Sequence, residues 1–292
     1  MNVAPPLGAL LDGLVDYAGL FPPAALSMPE AVEAYARYFR GPHRQMLGRF
    51  VLPVARLGEF AHAAGDTGDD WRLAVLAGPD DAGEIARFNG AHVGRYQADT
   101  IEARASDHET IWRLSSAYDE SYVVYVEIPS AEDPEPLVAE LATRGMRAKI
   151  RTGGVTADAF PEARDIVRFL AACARHGVPF KATAGLHHPL RGEYALTYEP
   201  ESPRGMMYGF LNVFLAAALL YDGADESDVA PLLEEWDAGA LAIGDDAISW
   251  RGQSVTAGEI ARAREAFAGS FGSCSFEEPV QDLATLQLLS PT

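Results

Sequence analysis

The sequence predicts an α/β fold of the closed (β/α)8 TIM-barrel type, and three observations carry that expectation. Short β-rich runs alternate with amphipathic helical runs along almost the whole chain. Such alternation means right-handed βαβ crossovers and a parallel sheet. The alternation repeats eight times within 292 residues, which suits the barrel in both count and length. The first βα turn, "DYAGLFPPA", lacks the G-x-G-x-x-G that usually opens the competing doubly wound sheet.

In order, "LVDYAGLFPPA" precedes the helix "PEAVEAYARYF", and "RFVLPVA" precedes a helix from about Leu57. "RLAVLAG" is followed by "DDAGEIARFNGA", "TIEARA" by "HETIWRLSSAYD", and "YVVYVEIPS" by "DPEPLVAELATRG". "RAKIRTGG" precedes "PEARDIVRFLAACARHG", while "PFKATAGL" runs through a long loop to "GFLNVFLAAALLY". The eighth unit is read as "ALAIGDDAISW" with "AGEIARAREAFAG". No long linker marks a second domain. Residues 1–269 are read as the barrel, and residues 270–292 as a tail packed back over one end of it.

The composition excludes several classes of function. A net charge of −19 repels phosphate backbones, so nucleic acid is not an expected partner. No apolar run reaches the roughly 18 residues of a membrane span, and "FLNVFLAAALLY" reads as a buried helix. The N-terminus has no basic stretch and carries Asp12 and Asp16 among its apolar residues, so a secretory signal is not expected. Two cysteines in unrelated contexts make no disulfide framework. The compartment expected is the cytoplasm. The sequence leaves the subunit count open, a homo-oligomer included.

Strand alternation then sorts the side chains, because residues two apart share a face. Thr100, Glu102 and Arg104 align in the fourth strand, Tyr125 and Glu127 in the fifth, Arg147, Lys149 and Arg151 in the sixth, and Lys181 and Thr183 in the seventh. Their apolar neighbours suit the outer helices, which places the charged members in the barrel mouth. Charges gathered there are costly to desolvate unless they pair or serve a ligand. Barrel chemistry belongs to the C-terminal rim.

Lys149 and Lys181 are the only lysines in the chain, where average usage gives on the order of fifteen. A chain that uses arginine for its other cations keeps lysine where arginine cannot serve. An amine can lose its proton and attack a carbonyl; a guanidinium cannot. Burial and cationic neighbours (Arg147, Arg151, Lys181) would lower the pKa of Lys149. "KIRTGG" and "KATAGL" resemble the K-x-x-T-G and K-A-x-x-G motifs that end strands six and seven of class I aldolases of the deoxyribose-phosphate aldolase type. The resemblance covers residues 147–186. It implies that Lys149 forms an imine and that Lys181 depresses its pKa. The family's acidic residue on an earlier strand would be replaced by Glu102 or Glu127, and its phosphate-gripping loop has no counterpart in "AIGDDAISW". The whole chain, with "DYAGLFPPA", "KATAGLHHPLR" and "FGSCSFEEP", also resembles a bacterial and plant protein family without an assigned activity.

The expected function is therefore carbon–carbon lyase or aldolase chemistry on a small anionic carbonyl compound, with no cofactor. Lys149 and Lys181 supply the amines, Glu127 or Glu102 the proton shuttle, and Arg151 with Arg191 the anion clamp. Thr183 and Asp16 are further candidates for contact with substrate. His187 and His188, directly after strand seven, are acid–base candidates because histidine titrates near neutral pH. Two alternatives stand beside this one. A divalent-metal isomerase or lyase would use His187 with Glu127 and Glu102 as ligands, and a non-catalytic barrel would bind a metabolite. Cys274 has no base at an identifiable spacing and is not read as a nucleophile. The tail either closes the barrel's edge or carries Glu277 or Glu278 into the mouth.

Overall fold

A computed structural model describes residues 3–67 and 70–289. Residues 290–292 of the expected tail lie outside the described residues. The strands in chain order are β1 (Val15–Tyr17), β2 (Leu47–Pro53), β3 (Trp71–Leu76), β4 (Tyr96–Arg104), β5 (Val123–Glu127), β6 (Arg147–Arg151) and β7 (Phe180–Thr183). They continue with β8 (Gly192–Ala195), β9 (Arg204–Met207), β10 (Leu241–Ile243), β11 (Ala247–Trp250), β12 (Gln253–Thr256) and β13 (Ala268–Ser273). The α-helices are α1 (Pro5–Leu11), α2 (Met28–Phe39), α3 (Leu57–Ala64), α4 (Ala82–Ala91), α5 (His108–Ala117) and α6 (Glu135–Thr143). After them come α7 (Ala163–His176), α8 (Phe210–Tyr221), α9 (Glu226–Leu233), α10 (Ala257–Ala266) and α11 (Glu277–Thr285).

Eight parallel strands close a barrel in the order β1-β13-β7-β6-β5-β4-β3-β2. The chain is a (β/α)8 TIM barrel, as the alternation predicted. Helices form where capping and an apolar face agree. Ser27 and Glu30 make a capping box at the start of α2, and Thr256 with Glu259 makes another at α10. Helix α7 buries Ile166, Val167, Phe169, Leu170 and Cys173 on one side. Helix α8 is buried almost all round, which accounts for its uniformly apolar sequence. Among the described residues no helix is long and apolar enough to cross a membrane.

The eighth strand is not where the sequence placed it. "ALAIGDDAISW" forms β10 and β11, which join β12 in a three-stranded antiparallel sheet outside the barrel. Its turn, "GDD", folds the run back on itself, and its alternating burial is that of a half-covered sheet. The barrel closes instead through β13, "AGSFGS", which lies between β1 and β7. The expected boundary at residue 269 thus falls inside a barrel strand, and the chain after Ser273 forms α11. A second unforeseen feature is the β8–β9 hairpin within the long loop after β7.

Candidate active site

Four neighbouring strands, β4 to β7, bring the polar residues to one level. The backbone register pairs Glu127 with Lys149 and Lys149 with Lys181. All three side chains point inward, as their alternation required, and both lysines are buried. Their amines meet through carboxylates. Lys181 Nζ binds Asp16 Oδ2 at 2.6 Å and also Glu102 Oε1. Lys149 Nζ lies 2.8 Å from Glu102 Oε2 and 3.0 Å from Glu127 Oε2. Glu127 Oε1 in turn takes Arg104 Nε at 3.1 Å and Arg151 Nε at 3.3 Å. The result is a continuous row, Asp16–Lys181–Glu102–Lys149–Glu127, with two arginines at its outer end.

This row corrects the picture of a lysine crowded by positive neighbours. Burial alone would raise the Glu102 pKa, but attraction by Lys149 and Lys181 overcomes it and holds the carboxyl at about 2. Glu127 is likewise lowered: burial opposes ionisation, and Lys149 and Arg151 outweigh it. Burial would favour a neutral Lys181, yet Asp16 and Glu102 raise its pKa, so it stays charged. Arg147 is not among the cations around Lys149. It sits two residues earlier in β6, where its Nη1 donates to the Tyr125 hydroxyl at 3.2 Å.

A cavity of about 310 Å³ opens above this row at the C-terminal ends of the strands, the end where such barrels carry their sites. Lys149, Glu102, Arg104, Arg151, Thr183 and His187 all line it; Lys181 does not. Its apolar wall includes Phe21, Pro22 and Pro23 from the loop after β1, and Leu196 and Met207 from the hairpin segment. The motifs that gave Lys149 and Lys181 both run into glycine for a steric reason. Gly185 has φ +73°, and a Cβ there would lie 2.8 Å from the Gly153 Cα, so the loops after β6 and β7 touch backbone to backbone.

The remaining sequence candidates divide. Asp16 lies below the cavity lining, within β1. Besides Lys181 it accepts from Ser270 Oγ at 2.5 Å and from the Arg49 backbone N–H at 2.6 Å, so it holds Lys181 where a substrate contact was expected. A Cβ at Gly48 would meet Asp16 Oδ1 at 2.2 Å, which reserves that position for glycine. Arg191 is not beside Arg151: it faces Glu234 at 3.3 Å and Tyr208, on a different cavity. Arg104 is the second arginine at the mouth. His188 does not line the lysine cavity; it binds Asp282 Oδ2 at 2.5 Å and stacks on Tyr194. Asn212 of α8, outside that set, donates to the carbonyls of Leu232 and Glu235. His187 is separated in its pairing from Glu102 and Glu127. Among the described residues no three His, Cys, Asp or Glu side chains gather as a metal-ligand set.

His187 and Cys274, which line the cavity, gather Glu278 of the tail and Tyr198, the one member of the group that sequence reasoning passed over. His187 Nδ1 lies 3.0 Å from Glu278 Oε2 and 4.0 Å from Cys274 Sγ, and Tyr198 bridges Cys274 to Glu278. No local signal marked this group, because 87 residues separate His187 from Cys274.

Three contacts pin α11 over the barrel mouth. Glu278 and Asp282, one helical turn apart, meet the adjacent His187 and His188, and Glu277 binds Arg37 of α2 at 2.7 Å. Burial disfavours the His187 imidazolium, but hydrogen bonding to Cys274 and Glu278 raises its pKa to about 10. Burial opposes ionisation of Glu278 too, and His187 lowers its pKa below the usual carboxylate value. A raised histidine stabilises fully below its unfolded pKa of about 6.5, and that contribution is lost as pH rises to about 10. The lowered glutamate stabilises above an unfolded pKa of about 4.3, and that contribution is lost as pH falls. Docking of α11 is therefore expected to be tightest between about pH 4.3 and 6.5 and to loosen on both sides. Amide exchange of residues 277–285 across pH, corrected for intrinsic rates, checks this; His187→Gln should remove the alkaline limb and weaken the acid one.

A scan against protein-family models gives no match to the chain, and neither does a search of curated proteins.

Proposed function

We propose that the chain is an enzyme, a carbon–carbon lyase of the aldolase kind, that holds its carbonyl substrate as an imine on Lys149. The observation that carries this reading is the unequal placement of the two lysines. Both amines are buried in one ion-pair row, yet only Lys149 lines the cavity. The fold itself is compatible with such an enzyme and with many others.

Lys149 Nζ lies between two carboxylates, Glu102 and Glu127, each within reach of its proton. Glu127 is the better proton shuttle. Its Oε2 is buried 3.0 Å from Nζ, and it serves one amine where Glu102 serves two. Glu102, held at about 2, serves as a fixed anion between the two amines.

In the proposed reaction Lys149 Nζ attacks the substrate carbonyl carbon, and loss of water gives an iminium ion. The bond between the carbons α and β to that carbon then breaks, and its electron pair flows into the iminium as an enamine. Glu127 moves the protons. Arg104 and Arg151 at the rim face an anionic group on the substrate, the role first given to Arg151 with Arg191.

The test is borohydride reduction in the presence of candidate aldehydes and ketones, read by intact mass and peptide mapping. An irreversible adduct on Lys149 is the expected result. Reduction that leaves the mass unchanged with compounds the protein turns over would overturn the imine. Activity lost to a chelator would then favour the metal-dependent alternative, and absence of any turnover the binding protein.

A further inference from the structure

A second nucleophile shares the cavity. Cys274 follows β13 directly, is buried, and contributes to the cavity wall. Its Sγ lies 3.5 Å from the Tyr198 hydroxyl and 4.0 Å from His187 Nδ1. The same hydroxyl donates to Glu278 Oε2 at 2.7 Å, and that oxygen is 3.0 Å from Nδ1. Three separate stretches of chain thus converge to ring one sulfur with a proton donor, a proton acceptor and a hydroxyl that bridges to the acceptor. Chemistry at Lys149 does not use this arrangement.

The contrast with the other cysteine sharpens the point. Cys173 is fully buried in α7, and burial pushes its thiol pKa well above the ordinary value. It has no place in the cavity wall.

We propose that Cys274 reversibly captures aldehydes as thiohemiacetals inside the cavity. The chemical class follows from the reading of the cavity as a carbonyl site, on which this inference rests, since aldol cleavage releases an aldehyde there. The Sγ–H proton passes through the Tyr198 hydroxyl to Glu278. Sγ forms a bond to the carbonyl carbon, and the C=O π pair moves onto oxygen. His187 donates a proton to that oxygen and regains one from Glu278. Atoms and charge balance: a thiol and an aldehyde become one neutral adduct with no change in oxidation state, and the reverse path releases the aldehyde.

The experiment uses the full chain carrying Lys149→Arg, so that imine formation plays no part and the outcome is independent of it. The protein is treated with iodoacetamide, and both cysteines are followed by peptide mass mapping, with Cys173 as the internal reference. Cys274 is expected to react at least tenfold faster than Cys173. Propanal should slow its alkylation severalfold, and dialysis should restore the rate. Tyr198→Phe, at a half-exposed position that tolerates the loss of one hydroxyl, should slow Cys274 severalfold and leave Cys173 unchanged. Equal rates at the two cysteines, no protection by propanal, or an unaltered rate in Tyr198→Phe would each overturn the proposal.

Discussion

Replacing Lys149 by arginine is expected to abolish turnover of any carbonyl compound that traps on the native protein, while the barrel stays folded. A guanidinium remains charged and cannot become an imine. Loss of a covalent nucleophile typically costs on the order of 10⁴–10⁶ in kcat. Folding survives because the positive charge survives. Arginine still sits between Glu102 and Glu127, and those carboxylates keep their other partners in Lys181, Arg104 and Arg151. The remaining structural cost is the fit of a longer, planar group beside the cavity, about 1–3 kcal/mol for a well-packed site. Urea unfolding followed by circular dichroism measures that cost, and single-turnover assays measure the chemistry. A folded Lys149→Arg protein that still turns substrate over would rule out the covalent route.

Much of this site was legible in the sequence because strand alternation is a strong local signal. It turned Glu102, Glu127, Lys149 and Lys181 inward, and the structure links their side chains in a row, each within about 3 Å of the next. What alternation cannot give is who pairs with whom across the barrel. Asp16 and Lys181 are 165 residues apart, and their contact exists only because β13 brings β1 round toward β7. For that reason Asp16 read as a substrate contact and the lysines read as mutually repelling. The structure instead sets Glu102 between the two amines.

The eighth strand was missed for a related reason. "AGSFGS" offers one large apolar residue, Phe271, and otherwise small ones, so it has little intrinsic strand character. Its two barrel neighbours specify it. "ALAIGDDAISW", richer in β-branched and aromatic residues, carried the stronger local pattern and went to a peripheral sheet. Long-range closure overrode local propensity in both cases. The same limit hid the group around Cys274, whose members meet only once β13 and α11 are in place.

The buried cation beneath the cavity sets the second large expectation. Lys181→Met is expected to destabilise the protein by roughly 3–5 kcal/mol, because it leaves Asp16 and Glu102 short of a partner in the barrel interior. For a chain of this length that corresponds to a drop in melting temperature of roughly 5–8 °C. The pH dependence carries a sign. Glu102 is held at about 2 in the folded protein, so it stabilises above its unfolded pKa of about 4.3, and that contribution is lost as pH falls toward 2. The raised Lys181 stabilises below its unfolded pKa of about 10.4 and ceases to do so as pH rises beyond it. The native network is thus strongest between these limits. Removing Lys181 takes away one of the two cations that lower Glu102, so the acid unfolding midpoint should move to higher pH. Adding Asp16→Asn to Lys181→Met should recover part of the loss, since it removes one stranded charge and leaves Ser270 and the Arg49 amide to hydrogen-bond the new side chain. Equilibrium unfolding of the native protein, both single variants and the pair gives the coupling directly. Strictly additive losses would mean that Asp16 and Lys181 do not act as a unit, and the ion-pair row would lose its physical basis.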